Sequence, residues 1–432
     1  MSLGLYISVP FCRSKCSYCN FASGVFSPKT YQHYADRVCA DIRRAPELAE
    51  AVDGKIQLDA DSIYFGGGTP TVLQPSQLEA IFAAARGRFS LPLGSEITVE
   101  CAPGTLSAAM IEQLVRLGVN RVSLGVQSFV DQEAAAVGRL HTRAIVLEEI
   151  ARLRGAGITN INVDLIAGLP HQTEESWQAS LDNAIAAEAP HVSVYMLEVD
   201  DESRLGRELI AGGTRYHAHF VPDDDQVAGF YEMACERLAR AGIAQYEISN
   251  FAREGFESRH NLKYWTRQPY LGFGVDAHSM IEPSTWLLTA GVNALRFAMP
   301  AELEEFLARP ADDEPATDII SRSSALEERF FLGLRLTRGV RLDEVEAEFG
   351  VEAVNDLEPS IAQVIQQGLV VRHGATLKLT PRGRLLSNEV FDAFVAIGTA
   401  DDLPELLEYL ERTKRDGPEG PDEPRPLTKK VQ

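Results

Sequence analysis

Three cysteines inside one stretch of eight residues constrain this chain more than anything else in its sequence. Cys12, Cys16 and Cys19 follow Tyr6-Ile7-Ser8-Val9-Pro10-Phe11 with the spacing C-x-x-x-C-x-x-C. Thiolates this close along the chain must converge on one centre if they are ligands. Iron–sulfur clusters are held by Cys thiolates, normally four for a 4Fe–4S cube. Three local thiolates with no fourth partner leave one iron open to a small molecule, by the logic that gives a catalytic zinc its open position.

A cluster with an open iron can bind and reduce S-adenosylmethionine, a cofactor of radical chemistry. The competing readings are weaker. A structural zinc site pairs two short Cys/His hooks and closes at four ligands; Cys39, Cys101 and Cys235 are isolated and supply no second hook. A disulfide framework belongs to short secreted chains. Free core cysteines are the bland alternative, but core residues have no reason to gather in a Pro-Phe-Cys loop.

Composition bounds the rest. The 432 residues suffice for one large α/β unit and a smaller one, and 45% hydrophobic with 24% charged residues is ordinary for a globular protein. A formal net charge of −21 argues against nucleic acid as a partner, which needs Lys/Arg-rich surface. No apolar run has the length of a membrane span, so an integral membrane segment is not expected, although peripheral contact with membrane enzymes is left open. The start of the chain does not read as a signal peptide. Together with the cysteine usage, that predicts a reducing, cytoplasmic setting.

To about residue 290, short apolar strands alternate with helical stretches, the pattern of βαβ units around a parallel sheet. The predicted strands are Leu5–Val9, Ser62–Phe65, Ile97–Cys101, Arg121–Val126, Ile161–Ile166 and His191–Leu197. Thr105–Leu117 and Glu174–Ala187 are among the predicted helices. Six such repeats suit a partial (β/α)6 barrel, open at the side. Side chains alternate between the two faces of a strand. Leu5, Ile7, Val9, Val99, Val122, Leu124, Val163 and Leu165 then pack outward on helices. Tyr6, Glu100, Gln127 and Asp164 point into the barrel near its C-terminal mouth, where barrel active sites sit. One inward polar group is commonly a satisfied core residue; four on four strands favour a binding cavity. The turn Gly66-Gly67-Gly68-Thr69 is neither a dinucleotide fingerprint nor a phosphate loop, and by itself reads equally as a tight strand-to-helix turn.

The segment 301–324 is rich in Ala, Glu, Asp and Pro and reads as a linker after a barrel unit of 1–300. Residues 325–395 read as a winged-helix-like domain: helices at Ala325–Leu336, Leu342–Phe349 and Pro359–Gly368, then a two-stranded wing over Leu369–Leu379. Here it is read as a lid rather than a DNA reader. A helix over 396–413 and a disordered tail over 414–432 complete the reading.

On these residues the chain resembles the radical S-adenosylmethionine superfamily, whose signature has this cysteine spacing with an aromatic, here Tyr18, before the third. The resemblance implies an α/β radical-SAM barrel with Cys12, Cys16 and Cys19 on the cluster. Tyr6, Gly68, Thr69, Glu100, Gln127, Arg139 and Asp164 resemble the cofactor-contacting set of the oxygen-independent coproporphyrinogen III oxidase branch. Gly125-Val126-Gln127-Ser128-Phe129 and Asp164-Leu165-Ile166-Ala167-Gly168-Leu169-Pro170 read as motifs of that branch. The likeness implies that the glycine turn approaches the methionyl amino end of S-adenosylmethionine and that the polar side chains surround the rest.

Two departures separate the chain from the decarboxylase. Phe21 stands where that enzyme has a further cysteine, and only eleven residues precede Cys12. Both resemble the HemW-type haem chaperone subfamily, as does His260-Asn261-Leu262-Lys263-Tyr264-Trp265, which fits its H-N-x-x-Y-W pattern. That resemblance implies haem as a cofactor and haem-accepting proteins as partners, with His260 as an axial ligand of the kind haem proteins use. The alternative for His260 is a loop residue anchored with Tyr264 and Trp265 at the barrel end. For the chain as a whole, the alternatives are radical decarboxylation of propionates and a related radical methyltransferase.

Overall fold

The computed structural model describes residues 2–310 and 313–395, with residues 406, 409 and 410 beyond them. The six predicted strands are present as β1 (Leu3–Val9), β2 (Ala60–Gly67), β3 (Glu96–Cys101), β4 (Arg121–Gln127), β5 (Asn160–Ala167) and β6 (His191–Met196). They pair in parallel in chain order. Parallel neighbours need crossovers. Helices α1 (Pro28–Arg43), α2 (Pro75–Arg88), α3 (Ala108–Arg116), α4 (Arg143–Gly155) and α5 (Glu174–Ala186) supply them, and α6 (Asp224–Arg240) follows β6. Leu5, Ile7, Val9, Val99, Val122, Leu124, Val163 and Leu165 are all 0% exposed in one continuous core with these helices. The period-two pattern thus divides helix-facing from barrel-facing residues as expected.

The sheet runs further than six strands. β7 (Asn250–Ala252) pairs antiparallel with β6. A seventh parallel strand, β8 (Tyr270–Gly274), lies on the free side of β1. The antiparallel run β9 (His278–Pro283), β10 (Ala294–Ala298) and β11 (Thr317–Ile320) extends it. Its two ends do not pair with each other among the described residues, so the barrel stays open.

The expected linker is largely built into this body. Leu303–Ala308 is a helix whose Leu303 and Phe306 are buried in the barrel core, and β11 closes the sheet edge. Phe306 lies 5.7 Å from the Tyr34 ring. Composition hid these anchors because a few apolar residues stand among many charges.

The C-terminal domain has the predicted winged-helix order. Helices α8 (Arg322–Gly333), α9 (Leu342–Phe349) and α10 (Val351–Gln366) precede β13 (Val370–His373) and β14 (Thr376–Leu379), while β12 (Val340–Arg341) adds a third strand. Pro359 does not start the last helix; it lies inside it. That costs one backbone hydrogen bond. Gly350, at φ +87°, makes the break between α9 and α10 instead. Ile248, Met280 and Ala294 of the barrel body share the small domain's apolar core. Most of the helix expected over 396–413, and the tail over 414–432, lie outside the described residues; Leu406 and Leu410 are buried in the barrel core.

Candidate functional site

The cysteine loop begins where β1 ends. A bridge between Phe11 and Gly24 closes its base, with Cys12 N donating to Gly24 O at 2.8 Å and Gly24 N to Pro10 O at 2.8 Å. Phe11 is fully buried and stacks on Tyr31 at 4.1 Å, which fixes the loop's root. Ser17 N donates to Val137 O and Leu205 N to Ser17 O, so the loop is stitched across the barrel mouth.

The glycine turn has a steric cause. A Cβ on Gly68 would sit 2.8 Å from the carbonyl oxygens of Val9 and Phe11, and one on Gly66 would sit 3.0 Å from the Glu100 carboxyl. Gly68 N and Thr69 N donate to Val9 O and Phe11 O at 2.8 and 2.7 Å. The turn therefore lies on the root of the cysteine loop, and Thr69 Oγ1 is 3.8 Å from Cys12 Sγ.

These elements enclose a cavity of about 520 Å³. Cys12, Cys16, Cys19, Gly68, Thr69, Glu100, Gln127, Arg139 and Asp164 all line it. The three cysteines are free thiols. Burial pushes the Cys12 thiol pKa up, an effect that metal coordination reverses. Among the described residues, no group of three or more His, Cys, Asp or Glu is arranged to hold a single metal ion. A cube asks something else of these thiolates, since each takes a different iron.

Arg139 Nη1 lies 3.4 Å from Cys16 Sγ, Nη2 donates to Gly125 O, and Nε is buried without a hydrogen-bond partner. Gly125 makes room, because a Cβ there would meet the guanidinium at 3.0 Å. A half-buried cation beside a thiol, with an unused donor, suits both a thiolate and an anionic group of a small ligand.

Across the cavity, Tyr64 OH donates to Glu100 Oε1 at 2.8 Å, while Asp164 accepts from Ser123 Oγ at 2.9 Å and Asn162 Nδ2 at 2.7 Å. Burial, with the Asp164 charge adding to it, raises the Glu100 pKa to about 7. Burial also raises Asp164. Two half-buried carboxylates facing one cavity favour a cationic or hydroxyl-rich ligand. Gln127 sits at φ +68°, at a register shift in β4 opposite β5. A non-glycine residue held there is strained, as is common at binding sites. The donor set thus fits a cluster with a zwitterionic, ribose-bearing ligand beside it.

Two predicted residues are not in the cavity wall. Tyr6 points inward as expected, but it packs against the rings of Tyr64, at 6.1 Å, and His260, at 6.3 Å, which themselves lie 5.3 Å apart. His260 is not in a loop: it lies in helix α7 (Arg259–Trp265), between α6 and α8 in the chain, and is 1% exposed. Its Nδ1 is 3.0 Å from Ser62 Oγ and its Nε2 is 2.9 Å from Tyr264 OH. Burial depresses its pKa to about 3. In this conformation, then, it anchors α7 at the strand-start end of the barrel, away from the cysteines. Glu96 fixes the same helix start, accepting from Arg259 N and His260 N at 3.0 Å each.

Asn162, which strand parity puts on the same face as Asp164, lines the cavity as well. Other cavity residues escaped the sequence reading: Tyr64, Arg121, Ser193, Tyr195 and Asn250 line it, and so does Asn261, the neighbour of His260. Strand alternation carried to β2 and β6 would have found Tyr64, Ser193 and Tyr195.

Residues 6–184 match the model of the Radical SAM superfamily and residues 320–386 that of the HemN C-terminal domain. A curated relative from Bacillus subtilis, named "Heme chaperone HemW", is 34% identical over 90% of this chain and 98% of its own. One of the same name from Lactococcus lactis is 32% identical over 90% of this chain and 96% of its own. Among solved structures, coproporphyrinogen III oxidase (HemN) from Escherichia coli superposes with a TM-score of 0.77 at 21% identity, over 91% of this chain and 90% of that one. That last likeness concerns the fold. The chain belongs to the HemW family of haem chaperones, within the radical S-adenosylmethionine superfamily.

Proposed function

We propose that this protein binds haem and passes it to acceptor proteins, carrying a 4Fe–4S cluster and S-adenosylmethionine in the barrel. The observation that carries the cofactor part is the meeting of three free thiols, Arg139 and the Glu100–Asp164 pair in one cavity. Cys12, Cys16 and Cys19 would hold the cluster. Arg139 and the Gly68–Thr69 turn would hold the amino-acid end of S-adenosylmethionine, and Glu100, Gln127 and Asp164 its remainder. Bound there, the two groups supply one-electron chemistry. The chain's own residues orient the ligand, balance its charge and keep water from it.

The haem part rests on kinship with proteins named as haem chaperones and on the His260–Trp265 motif. Ligation of haem iron by His260 requires α7 to release the ring from Ser62 and Tyr264. The haem-loaded protein is therefore expected to differ from this conformation in α7. No helix among the described residues is long and apolar enough to cross a membrane.

The test is transfer. Haem-loaded protein is mixed with an apo-haemoprotein of distinct spectrum, and the acceptor's Soret band is followed. The expected result is acceptor loading with no consumption of haem. Haem that never leaves the protein, or never binds, would remove the carrier reading.

A further inference from the structure

A second cavity, of about 550 Å³, lies between the C-terminal end of α7 and the winged-helix domain. Thr266, Arg267 and Gln268 form one wall; the other comes from α8, α9 and the strands of the small domain. Its volume is that of a small-molecule site. Five Arg or Lys side chains line it against two Glu, in a chain whose formal charge is −21.

The five cations divide into two kinds. Arg267, Arg329 and Arg341 are held by neighbouring carboxylates: Arg267 by Glu328 at 2.9 Å, Arg329 by Glu344 at 2.9 Å, and Arg341 by Glu344 at 3.6 Å. Arg338 and Lys378 have no side-chain hydrogen bond or ion pair among the described residues. Arg338 stands in the turn before β12 and Lys378 in the neighbouring strand β14, where the adjoining Gly339 packs against Leu377 and the Lys378 side chain. With 62 acidic side chains against 41 basic ones, two cations left unpaired in one concave site make a net positive patch where the average surface is negative. Such a patch draws an anion with more than one charge, and Arg with Lys is a pairing suited to carboxylates.

We propose that Arg338 and Lys378 receive the two propionate carboxylates of haem, so that this cleft is the docking site for the polar edge of the porphyrin. The inference rests on the haem reading above and adds to it a place and a chemistry. The cleft begins at Thr266, the residue after the last of α7, so a porphyrin whose polar edge sits there would lie beside the end of the helix that carries His260. It also lies outside the cluster cavity, so haem and S-adenosylmethionine need not compete for space.

The experiment titrates the intact protein with hemin and with hemin dimethyl ester, which keeps the ring and iron but lacks both negative charges. The wild-type chain and the double variant Arg338→Ala/Lys378→Ala are compared, with circular dichroism and thermal midpoint as checks on folding. The expected result is that wild type binds hemin at least tenfold tighter than the ester. The double variant should bind hemin about as weakly as the ester and leave ester binding unchanged. Equal binding of hemin and ester by wild type would overturn the proposal without reference to any variant. So would a folded double variant that keeps wild-type affinity for hemin. A wild-type protein that binds the ester tightly but shows no preference for hemin refutes this cleft and leaves haem binding standing; one that binds neither refutes both.

Discussion

Cys12, Cys16 and Cys19 share a cavity with Cys101, yet only the first three are expected to hold iron. Cys101 is fully buried at the end of β3, and burial drives its thiol pKa well up, so it stays protonated. Replacing any one of the loop cysteines by Ala should remove most of the iron from anaerobically purified protein. Replacing Cys39, Cys101 or Cys235 should leave it, as iron analysis and the cluster's visible absorption will report. Glu100 makes a second prediction at this scale. Its folded pKa, about 7, lies above the ordinary value of 4.5. The stabilisation from the neutral acid is complete below the ordinary value and is lost as pH rises through about 7. Cluster-free protein should therefore lose about 2–3 kcal/mol between pH 5 and 8 from this group. Glu100→Gln should flatten that dependence in thermal melts; an unchanged profile would show that Glu100 is ionised at little cost. Much of this site was legible in the sequence because the ligand spacing is local and the inward residues follow strand parity. Arg121 was not legible. It has the parity of Ser123, but a buried Arg with Nε and Nη1 unpartnered is a group that propensity never suggests.

Helix α7 is the element whose role changes most between sequence and structure. Seven residues are too few for a helical period to declare itself, so the H-N-x-x-Y-W segment reads as a motif without a shape. What holds it is tertiary: Ser258 caps it, Glu96 accepts from its first amides, and His260 is inserted between β2 and Tyr264. His260→Ala should therefore cost about 3 kcal/mol, because it leaves a buried void and two hydroxyls without their partner. Denaturant unfolding of the apo protein will measure it. A loss below about 0.5 kcal/mol would show that the ring is not the anchor it appears here. Any change in the haem spectrum of this variant has to be read under conditions where it is still folded. By contrast, the six parallel strands were legible to within a few residues, since each is a short apolar run bounded by turns. β8 was missed because two glycines interrupt its five residues.

Over the whole molecule, the winged-helix domain is fastened to the barrel body by a buried ionic cluster. Glu328 of α8 accepts from Arg267 at 2.9 Å and from Arg296 at 2.8 Å, and Arg335 lies 4.3 Å over the Trp265 ring. Removing one member of a buried pair leaves the others charged and unpaired, at about 3–5 kcal/mol. Glu328→Ala should loosen the small domain, seen as faster proteolysis at the junction between β11 and α8 and an earlier first unfolding transition. A single unshifted transition would mean that the shared apolar core alone fastens the two parts. This coupling could not be read from sequence, because its partners lie far apart along the chain with no local pattern between them. What the whole chain does to a tetrapyrrole decides between carrier and decarboxylase. The most direct measurement gives one anaerobic preparation, reconstituted with cluster and S-adenosylmethionine, either haem or coproporphyrinogen III. Haem should bind with a Soret band and be transferable, and coproporphyrinogen III should release no CO2. Sustained CO2 release under those conditions would contradict the carrier account and make the chain a decarboxylase.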